Sequence, residues 1–112
     1  PYPMRRILIA DDSPEWRSIV EIALRTIPNT QVLTAESAEQ ALQLAREHSI
    51  DLLVTDVRMG GMSGIELLER LKQIERWPTR GAIVVSGEPV ASLWATTGIQ
   101  GAFFFQKPFS PG

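Results

Sequence analysis

Residues 7–12 read ILIADD, four apolar residues running straight into two aspartates. A short apolar run bounded by a turn signal reads as a buried strand of a parallel sheet. Three more runs share the pattern. LLVT (52–55) ends on Asp56, AIVV (82–85) ends on Ser86, and AFFFQ (102–106) ends on Lys107-Pro108. In an open α/β sheet, ligands bind outside the carboxyl ends of the strands. Three carboxylates, a hydroxyl and an ammonium are therefore expected along one edge. Such a set can hold a divalent cation and an anionic phosphoryl group.

Between these runs the chain alternates strand and helix. The strands are expected at about 6–10, 31–35, 52–56, 82–86 and 102–107. Helix 1 starts with Ser13 as N-cap and Pro14 at the first helical position. Trp16, Ile19, Val20, Ala23 and Ile27 recur at helical spacing and predict an inward, core-facing stripe. Pro28-Asn29 ends the pattern. Helix 2 opens with the capping-box spacing Ser37-Ala-Glu-Gln40, with Ala38, Ala41, Leu42 and Ala45 facing inward. A turn, Gly60-Gly61-Met62, precedes a second capping box, Ser63 to Glu66, at the start of helix 3. Leu67, Leu68, Leu71 and Ile74 form the buried side of that helix. Residues 89–100 are expected to form a short, weak helix 4, because Thr96, Thr97 and Gly98 are poor helix formers.

The bulk properties narrow the function. At 112 residues the chain is one domain with a single core. A net charge of −2 disfavours direct nucleic-acid binding, which needs a concentrated basic face. The absence of cysteine excludes disulfides and thiolate metal sites. No apolar stretch approaches the roughly 20 residues of a membrane span. With no signal peptide visible, a cytoplasmic location without membrane attachment is expected.

The carboxylates have a chemical logic of their own. Magnesium takes oxygen ligands in near-octahedral geometry. Asp11, Asp12 and Asp56 supply such ligands if the first and third strands are neighbours, and a bound cation relieves their mutual repulsion. One of them can act as a nucleophile toward a phosphoryl group.

Taken together, the acidic pair, Asp56 in DVRMGGMSG (56–64), Ser86 at the end of the fourth strand and Lys107-Pro108 resemble a response regulator receiver domain of two-component signal transduction. The similarity spans residues 4–111. It implies a flavodoxin-like, doubly wound five-stranded parallel sheet of strand order 2-1-3-4-5. It also implies a phosphorylation-controlled switch rather than an enzyme with a separate substrate. Asp56 resembles the phospho-acceptor, supplied by a sensor histidine kinase or a phosphotransfer protein. Asp12 resembles the direct magnesium ligand, Asp11 the one acting through water, and the Arg58 backbone carbonyl the third protein ligand. Ser86 and Lys107 match the groups that contact the phosphoryl oxygens, and Phe104 matches the aromatic that changes rotamer with Ser86. Pro108 matches a proline that follows a cis peptide bond. The Arg58 and Glu88 side chains match positions flanking the phosphoryl group, and their opposite charges suggest a pair that hinders the attacking water.

Two departures stand out. The family usually has proline where Gly60 stands, so this turn is expected to be less rigid. Ser110-Pro111 repeats the Ser-Pro start of helix 1, and the chain ends one residue later. Residues 4–112 thus read as a receiver domain truncated before its fifth helix, which leaves homodimerisation, a separate output domain and an effector protein as open questions of partnership. A degenerate receiver serving only as a phosphorylation-independent interaction module is the alternative function.

Overall fold

Five parallel strands pair in the order β2-β1-β3-β4-β5. They are β1 (Arg5–Ala10), β2 (Thr30–Ala35), β3 (Leu52–Asp56), β4 (Ala82–Ser86) and β5 (Ala102–Gln106). Among the described residues, three helices connect β1 through β4: α1 (Pro14–Arg25), α2 (Ala38–Glu47) and α3 (Gly64–Gln73). The computed structural model describes residues 4–87 and 100–107. The expected fourth helix, Glu88 and Pro108 lie outside the described residues.

The register aligns the strand ends that carry the polar residues. Ala10 pairs with Ala35 and with Thr55, Asp56 pairs with Val85, and Ser86 pairs with Gln106. Asp11, Asp56, Ser86 and Lys107 consequently leave the sheet at one edge.

The helix starts follow the sequence signals. Ser13 accepts from the Trp16 amide, Ser37 from the Gln40 amide and Ser63 from the Glu66 amide. Only Ser63 completes a capping box, with Glu66 accepting from the Ser63 amide. At α2 the Gln40 side chain accepts instead from the Glu36 amide, 2.7 Å away.

The core sits on one face of the sheet. Leu8, Leu53, Ala82, Val84, Ala102 and Phe104 meet Ala38, Ala41, Leu42 and Ala45 of α2 and Leu67, Leu68 and Leu71 of α3. Burying each large aliphatic side chain contributes about 1.5–3 kcal/mol.

The opposite face departs from expectation. The stripe on α1 was expected to be core, yet no residue of that helix is buried. Ile19 is 60% exposed and Ile27 43%. The physical reason is coverage. α1 lies against β1 and β2, and among the described residues no second helix flanks it over β4 and β5. Phe103 and Phe105, which point to that same side, are 61% and 56% exposed. Ile27 also lies beyond the helix, which is capped at Thr26.

Candidate functional site

Asp11 stands directly after β1 and is only 2% exposed. Its carboxylate is used on both oxygens. Oδ1 accepts from the Ser13 amide at 2.9 Å, and Oδ2 accepts from Lys107 Nζ at 3.1 Å. Its backbone carbonyl accepts from Arg17 Nη1 at 2.7 Å. Asp12, the next residue, is exposed.

Asp56 closes β3. Its Oδ1 accepts from the Val57 amide at 2.8 Å, and its Oδ2 accepts from the same Lys107 ammonium at 3.2 Å. Burial pushes the Asp56 carboxyl above its ordinary value, and the neighbouring Asp11 charge adds to this. Lys107 and the Val57 amide pull in the opposite direction without cancelling it. One carboxylate oxygen from each of Asp11, Asp12 and Asp56 falls within a group spanning at most 4.8 Å. Three carboxylates against one ammonium leave an excess of two negative charges, which one divalent cation neutralises.

Lys107 is placed by the last strand. Its amide donates to the Ser86 carbonyl at 2.6 Å, so the two chain ends beyond β4 and β5 stay side by side. Ser86 is 2% exposed. Phe104 pairs with Val84 across the β4–β5 ladder and is buried, in alternation with its exposed neighbours. Ser86 stands two residues beyond Val84 and so shares that face of the sheet.

The loop after Asp56 is shaped by glycine. Gly60 has φ +60° and Gly61 has φ +95°. Proline, fixed near −65°, cannot adopt the Gly60 conformation, so the residue at this position sets a different turn rather than merely a softer one. Arg58 lies in this loop with an exposed side chain. Its expected pairing with Glu88 falls outside the described residues, as does the peptide bond preceding Pro108.

One residue of the site was missed in the sequence. The Trp16 ring lies under the Lys107 ammonium, with Nζ 5.2 Å from the ring centroid. Helical spacing had assigned Trp16 to the core stripe. The signal lay in its place in the first turn of α1, because helical side chains lean toward the helix N-terminus, and that terminus faces the acids.

The match to known proteins agrees with this geometry. The model of the response regulator receiver domain matches residues 7–112. The chain belongs to the response regulator receiver domain family. The chemotaxis protein CheY of Pseudomonas aeruginosa is 32% identical over 108 residues, covering 94% of this chain and 86% of that protein. A protein-glutamate methylesterase/protein-glutamine glutaminase of Desulfotalea psychrophila is 42% identical over 82 residues, covering 72% of this chain but 22% of that protein. A response regulator receiver protein of Anaeromyxobacter is 39% identical over 83 residues, and the match covers 34% of its length. The receiver domain therefore spans well under half of several longer relatives. Among solved structures, the response regulator TrrA of Thermotoga maritima in complex with Mg2+-BeF superposes with a TM-score of 0.80 at 25% identity, covering 96% of this chain and 90% of that one. Among the described residues of this receiver domain, no helix is long and apolar enough to cross a membrane.

Proposed function

We propose that this receiver domain is a phosphorylation-controlled switch in which Asp56 accepts a phosphoryl group. The donor is a phosphohistidine of a sensor kinase or phosphotransfer protein. An Asp56 oxygen forms the new bond to phosphorus as the nitrogen–phosphorus bond breaks, and the electron pair leaves with the imidazole. The observation that carries the proposal is the shared ammonium. Lys107 reaches Asp56 Oδ2 and Asp11 Oδ2 at once, so a positive charge already stands where phosphoryl oxygens on Asp56 would lie.

The donor set fits magnesium. Asp11, Asp12 and Asp56 would hold the ion together with the Arg58 carbonyl, oxygen ligands throughout. Bound there, the ion supplies neutralisation of the charge on the transferring group. The protein's own groups do the rest. The Asp56 carboxylate is held in place by the Val57 amide. The Ser86 hydroxyl and the Lys107 ammonium take the phosphoryl oxygens, and the buried Phe104 adjusts with Ser86 to carry the change toward β5. The exposed Arg58 side chain, in the loop after Asp56, slows hydrolysis together with Glu88.

The domain has no separate substrate; its output passes to a further domain or an effector protein. A sensor kinase as donor places it in the cytoplasm.

The test is an intact-mass measurement after incubation with acetyl phosphate and magnesium. One added phosphoryl group is expected, lost with EDTA and absent in Asp56→Asn. A folded protein that gains no mass would instead support a phosphorylation-independent interaction module.

A further inference from the structure

Asp11, Ser13, Trp16 and Lys107 form a closed circuit of contacts. Asp11 Oδ1 accepts from the Ser13 amide at 2.9 Å. The Ser13 hydroxyl, as N-cap of α1, accepts from the Trp16 amide at 3.4 Å. The Trp16 ring faces Lys107 Nζ at 5.2 Å from its centroid, and that ammonium returns to Asp11 Oδ2 at 3.1 Å. The two oxygens of one carboxylate thus orient both the helix that carries the indole and the cation that the indole faces.

A cation within about 6 Å of an indole centroid is attracted by the electron-rich face, more strongly where water is partly excluded. The Lys107 side chain is 20% exposed, and Asp11 is almost fully enclosed. Among the described residues, the ammonium is held by the two carboxylates and by the indole. Both of those carboxylates belong to the set that a divalent cation would recruit. A bound cation would therefore weaken the two contacts that keep the ammonium at the site. The contact with Trp16 would not be weakened in this way, because an aromatic face does not compete for a hard cation's oxygen shell.

We infer that Trp16 is a positioning residue: its indole face retains the Lys107 ammonium beside Asp56 when a divalent cation takes over the carboxylates. The role rests on Asp56 accepting the phosphoryl group, and it adds a component carried by the first turn of α1.

The experiment uses acetyl phosphate as donor and follows Asp56 phosphorylation by intact mass at saturating magnesium, in wild type, Trp16→Leu and Trp16→Phe. Phosphorylation is expected to slow about three- to tenfold in Trp16→Leu. Trp16→Phe, which keeps a weaker aromatic face, should recover part of the rate. A second readout isolates the contact itself. With Trp77→Phe and Trp94→Phe in place, Trp16 is the sole indole, and its emission should change on magnesium titration. Lys107→Met, which keeps the stem but removes the charge, should abolish that change. Wild type that gains no phosphoryl group overturns the phospho-acceptor reading. Wild type that is phosphorylated, with equal rates in all three proteins, overturns the role of Trp16 alone. An emission change that survives Lys107→Met also overturns it, and this readout stands even if Trp16→Leu fails to fold.

Discussion

Gly64, the first residue of α3, lies against the backbone carbonyl of Asp56, and a β-carbon there would collide with that oxygen. It would also sit 3.1 Å from the Thr55 hydroxyl. β3 and the helix after it are thus pressed together at a point where only glycine fits.

Gly64→Ala should therefore destabilise the protein by about 2 kcal/mol or more, the scale of overpacking in a rigid site. It should also slow phosphorylation, because the Asp56 peptide must move. Gly60→Ala meets nothing within 4 Å and strains only a backbone at φ +60°. Its cost should be about 1 kcal/mol. Urea unfolding of both variants measures the difference.

The Asp56 carboxyl sits above its ordinary value, so the folded state binds its proton more tightly than the unfolded chain does. The stability that this provides is complete below the unfolded value and is lost as pH rises through the folded one. At neutral pH the ionised Asp56 is a net cost. Asp56→Asn should accordingly melt higher than wild type at pH 7 without metal, and the gap should close on acidification below about pH 4. Magnesium at ten times its dissociation constant should stabilise wild type by about 1.4 kcal/mol, and EDTA should reverse this. Thermal melts at both pH values, with and without the ion, decide the matter.

Phe104 is 9% exposed between neighbours that are 61% and 56% exposed. Phe104→Ala should cost about 3 kcal/mol or more, with a cavity left beside Val84 in the core. Phe103→Ala and Phe105→Ala should each cost under about 1 kcal/mol in this 112-residue chain and reduce its self-association at high concentration. Chemical denaturation and light scattering separate the two classes.

Asp51 joins the other end of the sheet. Its Oδ2 accepts from the Arg6 amide at 2.7 Å and its Oδ1 from the Thr79 hydroxyl at 2.9 Å. The Arg6 amide is the main cause that holds its pKa below the ordinary value. The resulting stability is present above the unfolded value and disappears as pH falls through the folded one. Asp51→Ala should cost about 1–2 kcal/mol at pH 7. The charge-dependent part of that cost should vanish near pH 2, as shown by urea midpoints at the two pH values.

Much of this was legible because parallel strands buried on both faces read as plain apolar runs, so ILIA, LLVT and AIVV announced themselves. The serines at 13, 37 and 63 were equally readable, since a cap is a local interaction. Coverage was not. Periodicity says which side of α1 is apolar, but not whether anything lies over it, and Ile19 remained open. Trp16 shares that periodicity, yet its position in the first turn turns it toward the acids. The Gly60-Gly61 pair signalled a turn, while the left-handed backbone that excludes proline emerged only in three dimensions. The meeting of Lys107 with Asp11 depended on the strand order, which local patterns do not supply.

That last contact joins residues 96 positions apart. Its consequence is one of timing. Synthesis delivers Asp11, Asp12 and Asp56 first, and Lys107 follows 51 positions after Asp56. Because β1 and β3 are direct neighbours, a nascent chain can assemble the acids around a cation while β5 is still unmade. The ammonium then enters a pocket already formed, as the final strand locks onto β4. The charge balance of the site is completed only when β5 joins β4, which makes Lys107 a marker of a fully paired sheet as well as a member of the site.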